Sequence, residues 1–121
     1  MTARLFRLVA AAASIASSGA TLAQAAPASW AKCSACQVAA AGKPSTIGPN
    51  LWGVVGRKAG TLPGYSFSAG MKKLGTIWTA ANLDSYLVKP MVTVQGTKMI
   101  FPGLPDAKQR AEVVAYLQTL K

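Results

Sequence analysis

Histidine is absent from all 121 residues. Catalytic triads and metalloprotease motifs that need an imidazole are therefore excluded. Only two cysteines are present, Cys33 and Cys36. A structural zinc site takes four ligands, which this chain does not have. No long alternating strand pattern flanks the cysteines, so a thioredoxin-like redox role lacks its βαβ setting. Acids are nearly missing too: Asp84, Asp106 and Glu112 stand against thirteen lysines and arginines. The one apolar run near the start breaks at Ser17-Ser18-Gly19, short of the roughly 20 residues that a membrane-spanning helix needs.

That run has the form of a secretory leader. Arg4 and Arg7 supply the positive start, Leu8 to Ala16 the apolar stretch, and Ala23-Gln24-Ala25 the small-x-small cleavage site. The expected organisation is a cleaved signal at 1–25 and one small domain at 26–121, exported to the periplasm and monomeric. With Arg4 and Arg7 removed, the domain carries a net charge of +8. Such an excess draws the protein towards acidic protein docking sites or an anionic membrane surface. The basic residues are scattered, without a helical stripe or a reading module, which argues against nucleic acid.

Few positions suit regular structure, and they are helical. An Ala-rich segment from Ser29 to Ala41 reads as one helix running through both cysteines. Ser68 can cap a brief helix over Ala69 to Leu74, with Gly75 as its left-handed stop. Thr79 caps Ala80 to Val88, with Trp78 and Leu83 placed as a hydrophobic staple and Pro90 closing the element. Met91 to Leu104 reads as a loop. In the last helix Asp106 is the cap, Gln109 its capping-box partner, and Val113, Val114, Tyr116, Leu117 and Leu120 the apolar face.

The chemistry concentrates in Cys33-Ser34-Ala35-Cys36-Gln37 and Gly96-Thr97-Lys98-Met99. Read alone, an exported cysteine pair this close suggests a tight disulfide that stabilises little, because the loop it closes is short. Followed by His, the same spacing is the attachment signature of c-type haem, with Met a usual second axial ligand. Here residue 37 is Gln.

Further segments share one register: Gly48-Pro49-Asn50-Leu51, Gly56-Arg57-Lys58, Pro63-Gly64, Trp78, Tyr86-Leu87, Phe101 and Ala115-Tyr116-Leu117. With the two segments above, they make the chain from Cys33 onward resemble the class I c-type cytochromes, the short soluble proteins of bacteria and mitochondria. The resemblance implies an all-α, cytochrome c-like fold of short helices and long loops around one haem c. It implies thioethers at Cys33 and Cys36, with Gln37 in the proximal position and Met99 on the iron. Pro49 would offer its carbonyl on the proximal side. Arg57, Trp78 and Thr97 would hold the propionates, and Tyr86 would lie beside the Met99 sulfur. Lys32 and Lys98 would steer acidic partners.

Three positions depart from the family pattern. Gln37 replaces the proximal His, and its amide would reach Pro49 only in a different geometry. The N-terminal helix that packs on the last helix has almost no sequence here, which would leave the Val113–Tyr116 face without a partner. Phe67 stands where a Tyr would reach a propionate. The function implied is single-electron transfer rather than enzymatic turnover. The alternatives are a haem-binding sensor or weak peroxidase-like protein with an open axial site, and a degenerate haem-free homologue with its cysteines oxidised to each other.

Overall fold

The computed structural model describes residues 10–12 and 25–121. The expected leader therefore falls almost wholly outside the described residues. Among those described, no helix is long and apolar enough to cross a membrane. Among the described residues, five short helices carry the fold: α1 (Ala31–Ser34), α2 (Ala69–Leu74), α3 (Ala80–Val88), α4 (Pro90–Thr93) and α5 (Ala107–Thr119). Extended pairing among the described residues is limited to one isolated bridge between Lys58 and Ile77.

Helices this short are not stable by themselves and depend on their caps and packing. The expected caps are in place. Ser68 Oγ accepts from the Met71 amide at 3.2 Å, Thr79 Oγ1 from Asn82 at 3.1 Å, and Asp106 Oδ1 from Gln109 at 2.9 Å. Gly75 ends α2 at φ 61°, a conformation that costs glycine no Cβ clash. The capping box is only half formed, because the Gln109 side chain accepts from Lys32 Nζ at 3.2 Å. That bond ties the segment before the cysteines to α5.

The expected helix over Ser29 to Ala41 is not continuous. A single 3₁₀ turn, Ala28–Trp30, runs into α1, which stops before Cys36. The reason is visible in the carbonyls. Cys36 O accepts from the Gly48 amide at 2.8 Å and from Thr46 Oγ1 at 3.4 Å. Val38 O likewise accepts from the Leu51 amide at 2.7 Å. Long-range partners take the groups that a helix would have used. A second difference is α4, inside the stretch read as loop. Pro90 does not only stop α3; it also sits at the first turn of α4, where its missing N–H costs nothing.

The core lies between α3, α5 and the loops that cross them. Leu83 and Tyr86 of α3 meet Val113, Val114 and Leu117 of α5, with Leu104, Leu120, Val54 and Trp78 closing the cluster. Fully burying each large aliphatic side chain stabilises by roughly 1.5–3 kcal/mol. Arg110 joins the layers at one edge through Asp84 at 3.0 Å and through the carbonyls of Leu104 and Pro105, both at 2.9 Å. The α5 face does not lose its partner. Trp30 is buried, and its ring stands edge-on to Tyr116 at 5.1 Å, while Ser29 reaches Glu112 at 3.4 Å. One 3₁₀ turn carrying an indole covers what a longer helix would have covered.

Candidate functional site

Loops from both sides of this core enclose a cavity of about 310 Å³, within the range of cofactor and small-molecule sites. Cys33, Cys36, Gln37, Pro49, Arg57, Trp78, Tyr86, Thr97 and Met99 all line it. Most of the remaining wall is apolar, including Trp30, Leu51, Val54, Phe67, Met71, Leu87 and Phe101.

Both cysteines are free thiols at the end of α1. Cys33 is half-buried, and burial pushes its thiol above the ordinary value, an effect that neighbouring Lys32 partly offsets. Cys36 is exposed. Beyond them the chain turns, with the Cys36 and Gln37 amides both bonded to Cys33 O. This turn aims the Gln37 side chain across the cavity.

The Gln37 amide is the least ordinary group in the site. Its Nε2 donates to Met99 Sδ at 3.9 Å, not to the Pro49 carbonyl as the sequence suggests. Its Oε1 is buried and has no hydrogen-bond partner. Gly48 lies directly beneath, and a Cβ placed there would stand 2.5 Å from Nε2 and 2.6 Å from Oε1. Residue 48 must be glycine for the amide to sit where it does.

Met99 approaches from the loop after α4, its own amide donating to Thr97 Oγ1 at 3.2 Å. Tyr86 reaches the same threonine. Its phenol is pushed up to about 12 by burial, and the Thr97 hydrogen bond opposes that rise. Trp78 is buried against Tyr86, ring centres 5.0 Å apart. Arg57 donates to Asn50 O at 3.1 Å and Trp52 O at 2.7 Å, and burial holds its guanidinium below the ordinary value. Pro49 lies between Gly48 and Asn50 on the opposite loop.

Asn50 was not among the residues singled out by chemistry, yet it organises that loop. Its Nδ2 donates to Ala40 O and Lys43 O, both at 2.8 Å. Its Oδ1 accepts from Trp52 N at 3.0 Å, and its own amide donates to Ser45 Oγ at 2.9 Å. Tyr65 was missed as well. Its hydroxyl donates to Ile47 O at 3.1 Å, and its ring meets Phe67 edge-on at 4.7 Å, closing the rim where Phe67 has no hydroxyl to offer. The only signals for either were the Gly-Pro-Asn turn and two nearby aromatics.

No protein-family model matches the chain. Individual relatives do. It is 47% identical over 83 residues to cytochrome c of Trypanosoma brucei brucei, covering 69% of this chain and 89% of that one. Against cytochrome c of Sesamum indicum it is 45% identical over 87 residues, 72% and 78% of the two chains. Against cytochrome c2 of Rhodopila globiformis the identity is 49% over 75 residues, covering 62% and 71%. Among solved structures, cytochrome cH from Methylobacterium extorquens superposes with a TM-score of 0.70 at 43% identity, covering 75% of this chain and 91% of that one. With its all-α fold and a cavity lined by the paired cysteines and Met99, the chain belongs to the class I cytochrome c family.

Proposed function

We propose that this protein is a single-electron carrier holding one haem c in the cavity between Gln37 and Met99. The observation that carries the reading is the Gln37–Met99 pair. An amide and a thioether face each other at 3.9 Å inside a largely apolar cavity, with both thiols in its wall. The residues present fit a haem. The lining is apolar, the thioether is a soft donor suited to haem iron, and the orphaned Gln37 oxygen is a buried acceptor awaiting a partner.

Bound there, haem supplies a one-electron couple between ferric and ferrous iron. Cys33 and Cys36 would hold it by thioethers, and Met99 would ligate the iron through Sδ. Arg57, Trp78 and Thr97 would take the propionates. Tyr86 and Thr97 together fix the Met99 loop, while the apolar wall keeps water from the site. Lys32 and Lys98 sit at the rim and steer acidic redox partners or an anionic membrane surface towards it. Residues 1–25 direct the chain to the periplasm, where it acts as a monomer.

The test is intact mass and a reduced pyridine spectrum on protein exported together with a haem-attachment system. One covalent haem per chain and a reversible one-electron wave are expected. A colourless protein with its cysteines bridged would overturn the reading in favour of a haem-free homologue.

A further inference from the structure

Building on the haem-binding reading, we propose that Gln37 is itself an axial iron donor, through its amide oxygen, opposite Met99. This makes the Gln37 side a weakly held position that a small neutral azole can enter.

Spacing is the first argument. Groups resting on opposite faces of a carbon ring at van der Waals contact stand about 7 Å apart. Gln37 Nε2 and Met99 Sδ are at 3.9 Å, closer than packing on ring carbons allows and near the separation of two donors that share a metal held at a ring's centre. A single metal ion with an oxygen at about 2.1 Å and a sulfur at about 2.3 Å needs roughly 4.4 Å. An opening of about half an ångström supplies it, which is within the reach of two flexible side chains.

The second argument is the orphaned oxygen. A buried amide oxygen without a partner is costly and calls for an explanation. A half-turn about χ3, a soft torsion, points the oxygen at the Met99 sulfur, with Nε2 taking the place that Oε1 leaves. In that orientation the two side chains offer an acceptor pair with no proton between them, which is what a cation requires. Gly48 leaves the amide the space it occupies and no more.

The third is elimination. The chain has no histidine. Among the other nitrogen donors at the rim, Lys32 is bonded to Gln109 and Lys98 to Ser66. Gln37 lines the cavity and faces the Met99 sulfur. A neutral amide oxygen is a weaker donor than imidazole, so an external nitrogen ligand displaces it readily.

The experiment compares haem-loaded wild type with Gln37→Leu and Gln37→Asn, using imidazole as the probe and its absorption shift as the readout. Leucine keeps the volume and removes the oxygen. Asparagine keeps the amide but falls one methylene short of the metal. Both variants should bind imidazole about tenfold more tightly than wild type, since no internal donor competes. In water enriched in the magnetic oxygen isotope, both should show water on ferric iron and wild type should not. Equal imidazole affinity in all three, or isotope coupling in wild type, overturns the proposal alone. Should export yield no haem, hemin is added to the purified wild type and to Gln37→His. Uptake by Gln37→His only overturns the donor role of Gln37, and uptake by neither overturns the haem-binding reading as well.

Discussion

Placing a methyl group on Gly48 probes the contact that fixes the Gln37 amide. The Cβ would meet Nε2, Oε1 and Cδ at 2.5, 2.6 and 2.7 Å, so the amide must retreat by about 1 Å to reach an ordinary contact. Gly48 is not among the positive-φ glycines, so alanine brings no backbone strain. Overpacking a buried site costs about 1–3 kcal/mol, while losing glycine's freedom in the unfolded chain returns about 0.4–1 kcal/mol. Gly48→Ala should therefore destabilise by about 1–2 kcal/mol. In a Gln37→Ala background these three contacts are gone, and the same change should stabilise by about 0.5 kcal/mol. Urea unfolding of the four chains, followed by circular dichroism, gives a double-mutant cycle with an expected coupling near 2 kcal/mol. Additivity within about 0.5 kcal/mol would refute the contact between the two residues.

The orphaned Gln37 oxygen predicts that Gln37→Leu stabilises the haem-free chain by about 1 kcal/mol, measured as a raised urea midpoint at unchanged slope. Tyr86, with its phenol at about 12 in the fold, binds more protons folded than unfolded between about pH 10 and 12. Stability is thus full below pH 10 and falls through that window by up to about 3 kcal/mol. Tyr86→Phe should flatten the fall, and an unchanged alkaline slope would count against the assignment. Asn50→Ala strips the Lys43 carbonyl of its donor and leaves Ala40 O with only the Lys43 amide at 3.3 Å, for a loss of about 2 kcal/mol on thermal unfolding. Alkylation followed by mass spectrometry should label exposed Cys36 before Cys33, whose thiol burial holds in the neutral form.

Helices with a clear cap were legible in the sequence. Ser68, Thr79 and Asp106 announce α2, α3 and α5 through a local bond spanning three residues, and such bonds survive in any context. The segment around the cysteines was not legible, because its backbone groups are claimed by Gly48 and Leu51, more than ten residues away. Pro90 misled for a related reason, since the same ring that ends one helix can begin the next. The nine candidate site residues were chosen through register, not local propensity, and all nine line one cavity. What no pattern could reveal was the aim of the Gln37 amide. Its direction towards Met99 depends on Gly48 beneath it and on a loop sixty residues further along. Trp30 carries the same lesson: an indole in a single turn does the work expected of a helix.

The three tryptophans are distributed unevenly about the cavity. Trp30 and Trp78 stand in its wall, whereas Trp52 does not. A coloured, strongly absorbing guest drains the excited state of any indole close to it, and the drain weakens steeply with separation. The molecule thus carries its own optical gauge: loss of indole emission reports how full the crevice is, without any label.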